Sequence, residues 1–226
     1  MSTTRNVNLR KLSVLGLFIA LGYICLFVFH FRVQFLTLDF KDVFITLAGF
    51  IYGPVAAVTV AFIETLLELF TISSTGFWGA IMNFAGSATF AVTASLIYKY
   101  NKSFKGAVIG LISAVFSTTA VMMLTNLIIT PIYTHTDIKT IANMILPLLL
   151  PFNLIKSVLN AAFTFVLYKP VSQALRSMRI LPKSESEFAL DKRTICGLII
   201  ACIILIVSVA IMIVLLGGDF EIVKNS

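Results

Sequence analysis

Apolar runs, each about the 20 residues that a helix needs to cross roughly 30 Å of hydrocarbon, recur along the chain between short polar or basic connections. The first covers residues 12–31 and leads into a polar, Asp-containing connection over 32–41. The next, 42–70, is too long for one span and carries Gly53-Pro54, where a helix stops and the chain turns, so it predicts two short helices. Further spans are predicted over 78–98, over 106–129 with an end near Pro131, and over 144–168. Pro147 and Pro151 are compatible with that last span if they lie near one end or face protein. The run 195–216 is almost wholly apolar and ends at Gly217-Gly218. The pattern predicts an all-α integral membrane protein: six spans in a core over 1–175, a linker over 176–194, an additional span over 195–217 and a short tail over 218–226. No heptad, solenoid period or internal duplication modifies that reading.

Composition supports the class: of 226 residues, 59% are hydrophobic and 12% charged, and the mean hydropathy is +1.01. The net charge of +7 does not form a stripe suited to nucleic acid, because the basic residues sit in the connections. With the amino terminus cytoplasmic, one side collects Arg5, Arg10, Lys11, Lys99, Lys102, Lys105, Lys169, Arg176, Arg179, Lys183, Lys192 and Arg193. The other side keeps only Arg32, Lys41, Lys139 and Lys224. This asymmetry predicts N-inside and C-outside termini in a cell membrane, provided that Gly53-Pro54 is a turn. The first apolar run lacks a small-residue cleavage site and reads as a retained helix. Cys25, Cys196 and Cys202 lie in apolar spans without a CxxC spacing, and His30 and His135 are isolated, so no disulfide or metal site is expected. With no P-loop, HExxH or GxSxG motif, an autonomous ATPase or metalloprotease is not expected.

Polar residues inside apolar runs are costly unless something pairs with them. In LPFNLIKSVLN, Asn153 precedes Lys156 by three residues and Asn160 follows it by four, so all three share a helical face. Lys156 either snorkels to the interface or meets a ligand. Asn126, in LTNLIITP, suits a ligand contact or an interhelical hydrogen bond. Asn83, in WGAIMNFAGS, has the same two uses, and Gly79 and Gly86 beside it leave room for a flat ligand. Asp39 can cap the second helix, or with Thr37 bond a hydroxylated substrate. Glu64 and Glu68, one turn apart, allow a lysine pair, an exposed edge or proton coupling. Gly16 and Ala20 make a small-xxx-small pair suited to close helix packing or to a partner.

The segments FLTLDFKDVFITLAGFIYGPVAA, WGAIMNFAGSATF, TNLIITPIY and LPFNLIKSVLNAAFTFVLYK together resemble the riboflavin-binding S component of energy-coupling factor transporters, over about residues 11–169. LDFxD and GPxAA carry the likeness to S components in general, and PFNLIK with TN…TP carries the likeness to the riboflavin type. The resemblance implies a six-helix bundle that binds its vitamin near the outer face. Its partners would be a transmembrane coupling protein and two cytoplasmic ATP-binding subunits, with no enzymatic step and no resident cofactor in this subunit. It implies Asn126, Asn153 and Lys156 at the isoalloxazine edge, Thr37, Asp39 and Asn83 near the ribityl chain or its closing loop, and Phe35 and Trp78 as aromatic walls. Gly16 and Ala20 would be a variant of the family's partner-docking surface, and the seventh span is a departure from the six-helix pattern. Alternatives are an S component for another vitamin, a membrane structural or assembly protein, and an autonomous proton-coupled carrier.

Overall fold

The computed structural model describes residues 2–28, 31–33, 36–73, 75–178, 180–181, 192–216 and 219–220. The long helices are α1 (Ser2–Val28), α3 (Pro54–Thr71), α4 (Gly76–Tyr100), α5 (Phe104–Thr134), α7 (Leu150–Ser177) and α8 (Lys192–Leu216). A short α2 (Lys41–Tyr52) follows a hairpin of β1 (Phe31–Val33) and β2 (Leu36–Leu38), and α6 (Ile138–Met144) leads through a π-helical turn, Ile145–Leu149, into α7. Among the described residues, five helical segments are long and apolar enough to cross a membrane. Their outward faces carry large apolar side chains such as Phe62, Phe70, Phe116 and Ile128, which suits a lipid surround and not water.

The expected break at Gly53-Pro54 is present. Gly53 adopts φ 92°, which a side chain would resist, and Pro54 starts α3 where its missing N–H costs nothing. The resulting α2 has 12 residues, about 18 Å of helix, and so falls short of the hydrocarbon thickness. It is tolerated because protein surrounds it: α1, α3, α4 and α7 all pack on α2, and Val43, Ile45, Leu47 and Ala48 are fully enclosed. Close approach is built in at Gly49, where a Cβ would stand 2.8 Å from Ser95 Cβ. In lipid such packing, not expulsion of water, holds the helices together.

Three readings are revised. The connection 32–41 is not simply polar chain, since it contains the antiparallel β1–β2 pair in the register Phe31↔Leu38 and Val33↔Leu36. The fifth helix does not stop at Pro131 but continues one further turn to Thr134, where His135 ends it in the left-handed conformation. The sixth span is longer than 144–168, because the chain is helical from Ile138 to Ser177, with Pro147 inside the wider π turn.

Alternation in β2 sends Leu36 and Leu38 into an apolar cluster with Ile141, Leu148, Leu149, Phe152 and Leu159, leaving Thr37 on the opposite face. A second cluster, around Phe18, Val43, Leu47, Val60 and Leu175, joins α1, α2, α3 and α7. The polar site lies where β2 runs into α2.

Candidate functional site

Lys156 organises one wall. Its position on α7 brings Nζ within 3.0 Å of the Thr37 carbonyl oxygen and 2.9 Å of Asp39 Oδ2, to both of which it donates. An ammonium has three N–H donors, so two are used and one is left. The side chain keeps 18% exposure while Asp39 is nearly sealed at 2%. One turn on, Asn160 Nδ2 donates to the Asp39 carbonyl oxygen at 3.2 Å. The face shared by Lys156 and Asn160 thus fastens the start of the second helix to α7. Asp39 is not a helix cap here: α2 begins after Phe40 without a side-chain capping bond, and the carboxylate serves Lys156 instead.

The facing wall comes from α2, α3 and α4. Lys41 Nζ pairs with Glu68 Oε2, and Asn83 Nδ2 donates to Glu68 Oε1 at 2.6 Å, so both oxygens of that carboxylate are engaged. Ser87 Oγ donates to Asp42 Oδ1 at 2.5 Å. Isolated charges at this depth are prohibitively costly, and pairing each with a neighbour of opposite charge or a hydroxyl is what lets the chain keep them.

Between the walls lies a narrow, partly open cleft of about 60 Å³, too small as it stands for a drug-sized molecule, so a ligand enters only as the walls part. Thr37, Lys41, Asp42, Asn83, Asn153 and Lys156, with the hydroxyls of Ser87, Thr118 and Ser157, supply its polar lining, and Met82, Gly86, Met122 and Phe152 its apolar surface. Parted, these walls would hold a flat, partly apolar molecule by its faces and bond its carbonyls, ring nitrogens and hydroxyls at the rim. No group of three or more His, Cys, Asp or Glu residues suited to a metal occurs among the described residues.

The structure thus brings Thr37, Asn83, Asn153 and Lys156 to one cleft, with Asp39 directly behind Lys156. Asn153 donates through Nδ2 to the Leu149 carbonyl, leaving its amide oxygen toward other partners. Asn126 is fully buried but is not among the cleft-lining residues: its Nδ2 donates to the Met122 carbonyl at 2.7 Å and its Oδ1 accepts from Thr130. Trp78 also stands off the lining, 39% exposed and edge-on to Phe77. Phe35 lies outside the described residues. Gly16 and Ala20 are both exposed on α1, with nothing within 4 Å of a Cβ built at Gly16. Sequence reasoning passed over Asp42 and Ser87, counted Lys41 only among the charges of the connections, and allowed Glu68 a lysine pair without naming the lysine. A lysine opening an apolar helix was the signal available, since it requires a carboxylate.

A helical membrane bundle enclosing a polar cleft beneath a short hairpin defines a substrate-binding membrane protein. Residues 10–168 match the family described as "ECF transporter, substrate-specific component", and the chain belongs to that family. It is 32% identical over 189 residues to "Riboflavin transporter RibU" of Staphylococcus aureus (strain TCH60), covering 78% of this chain and 99% of that protein. It is 27% identical over 189 residues to "Riboflavin transporter FmnP" of Bacillus subtilis (strain 168), covering 77% of this chain and 100% of that one. A solved structure described as "Structure and mechanism of the S component of a bacterial ECF transporter" superposes with a TM-score of 0.65 at 29% identity, covering 75% of this chain and 99% of the other.

Proposed function

We propose that this chain captures riboflavin at the outer face of a bacterial cell membrane and delivers it inward as the substrate-binding subunit of an ATP-driven energy-coupling factor transporter. The observation that carries the reading is the cleft itself. It sets Asn153 and the remaining N–H of Lys156 opposite Asn83 and Asp42, across a gap walled by Met82, Met122 and Phe152. An amide and an ammonium serve the carbonyls and nitrogens of an isoalloxazine edge, and a carboxylate and amide on the other wall serve ribityl hydroxyls. Both relatives named above are riboflavin transporters, which favours this ligand over another vitamin. To join the ring contacts, Asn126 has to exchange its Met122 carbonyl partner for the ligand. Trp78, which stands off the lining, is assigned to the rim.

The subunit performs no covalent chemistry in this reading. ATP is hydrolysed on two cytoplasmic partner subunits, and a transmembrane coupling protein that packs on the exposed Gly16 and Ala20 face reorients the loaded bundle. The amino terminus is inside and the carboxyl terminus outside, as the lysine and arginine distribution favours. Titration of the detergent-purified subunit with riboflavin, followed by quenching of flavin fluorescence, tests the reading. Saturation near one ligand per chain is expected. Folded protein that leaves the fluorescence unchanged overturns it in favour of another vitamin or of a structural role for the buried amides.

A further inference from the structure

The family match ends at residue 168, and the two relatives are covered over 99% and 100% of their length by 78% and 77% of this chain. α8 and the strand β3 (Asp219–Phe220) therefore lie beyond the matched region. They are tied to the ligand cleft at two points.

The first tie is backbone pairing. β3 runs antiparallel to β1, with Phe31 opposite Phe220 and Arg32 opposite Asp219, so the hairpin becomes a sheet in the order β2-β1-β3. Two strands of three residues are marginal alone, and a third strand adds ladder bonds to the one that has none on its outer edge. The second tie is packing. Val209 of α8 rests against the cluster that contains Leu36 and Leu38, the anchors of β2. α8 is itself seated on the bundle along a face with Gly197, Ala201 and Ser208: Ala201 and Ser208 are buried, and a Cβ at Gly197 would lie 3.2 Å from the Phe165 ring. The opposite face, with Ile199, Ile203 and Ile206, is exposed.

The hairpin thus held is the one that supplies Thr37 to the cleft and leads directly to Asp39, the partner of Lys156. We propose that α8 and β3 form a strap that holds the hairpin over the cleft and positions Thr37 and Asp39, slowing exchange of the bound ligand. The proposal rests on riboflavin as that ligand. Because the strap lies outside the family match, it tunes the rate of exchange and is not required for binding.

The test uses full-length chain in detergent and follows riboflavin release by recovery of flavin fluorescence. In this register Arg32 and Asp219 are the hydrogen-bonded pair, so Asp219→Pro removes a ladder donor and restricts β3. Release is expected to accelerate about tenfold, the size given by roughly two backbone hydrogen bonds of ordinary net strength. The second variant joins Arg32→Cys to Asp219→Cys with Cys25, Cys196 and Cys202 replaced by serine. Directly opposed residues of antiparallel strands lie about 4.5–5.5 Å apart at Cα, within disulfide range. The oxidised pair is expected to release riboflavin several-fold more slowly than the reduced one, and reductant should restore the rate. Failure of the pair to crosslink, a crosslink that leaves release unchanged, or an unaltered rate in Asp219→Pro overturns the strap. Crosslinking is read without ligand, so wild-type protein that binds no riboflavin overturns the functional reading separately.

Discussion

Lys156 Nζ lies 2.9 Å from Asp39 Oδ2, joining residues 117 positions apart at the edge of the cleft. The pair has a structural and a binding role, and substitution separates them. Lys156→Met keeps most of the side-chain length but removes the ammonium that pairs with the buried Asp39 carboxylate and, with it, the ammonium's remaining donor. Riboflavin binding is expected to weaken by about 1–3 kcal/mol, roughly 5- to 150-fold. Adding Asp39→Asn should recover folding stability without recovering affinity, as a thermal melt in detergent and a flavin titration on the same samples will show. Full recovery of both by the double variant would mean that Lys156 acts only through Asp39.

Glu68 is the counter-ion on the other wall. Lys41 is 1% exposed, so Glu68→Ala leaves a sealed ammonium without its carboxylate and frees the Asn83 amide as well. Breaking a buried pair from one side costs about 3–5 kcal/mol, whereas replacing both members by apolar groups is often neutral. Glu68→Ala should therefore lower the unfolding midpoint sharply, and Lys41→Met with Glu68→Leu should restore much of it. If the double variant melts as low as the single, the pair is not what stabilises this region.

Much of this arrangement was legible in the chain. Lengths of apolar runs, Gly53-Pro54 and the placement of lysines and arginines suffice for the helices, because each rests on local backbone chemistry or on a sided membrane. The spacing of Asn153, Lys156 and Asn160 places them on one face for the same reason. Pairings across the chain were not legible. Lys41 and Glu68 are 27 residues apart on antiparallel helices, and nothing local tells the lysine which of Glu64 and Glu68 it will meet. The three-residue strands of the hairpin are too short to leave a period-2 signal. Asn126 has the composition of a ligand contact, but its amide is used within its own helix, a choice made by the side-chain rotamer and invisible to spacing.

Charge around the cleft predicts selectivity. Two ammonium groups, Lys41 and Lys156, face three carboxylates, Asp39, Asp42 and Glu68, and both ammonium groups are already paired. Asp42 lines the cleft with a serine hydroxyl as its bonded neighbour. A phosphate ester brings about −1.5 to −2 more charge at neutral pH. Flavin mononucleotide should bind more weakly than riboflavin, and Asp42→Asn should narrow the gap between them. Competition titrations in low salt report the ratio, and an unchanged ratio would place the phosphate away from Asp42.

Glu64 offers a contrasting carboxylate. Both its oxygens are buried without a hydrogen-bond partner among the described residues, and a Cβ at Gly22 would stand 2.2 Å from Oε1. A buried acid that bonds nothing contributes little to stability, so Glu64→Gln should melt no lower than the parent. Gly22→Leu should destabilise the α1–α3 contact by about 1–3 kcal/mol through overpacking. Glu64→Ala should relieve part of that loss, giving a coupling energy in a double-mutant cycle. Additive losses would show that Gly22 is needed for a neighbour other than Glu64.

The exposed face of α1 separates ligand binding from transport. Among the described residues nothing lies within 4 Å of a Cβ at Gly16, and Ala20 one turn on is exposed, so a leucine at position 16 projects from an open face. Riboflavin binding and thermal stability of the isolated Gly16→Leu protein should match the parent. A partner helix that approaches along small residues would meet the new bulk at close range, since van der Waals contact is the main attraction between helices in lipid. Uptake by cells expressing the variant with the complete transporter should fall, as should co-purification of the coupling subunit. Normal uptake would move the partner surface off this face, and loss of binding by the isolated subunit would show that Gly16 packs internally.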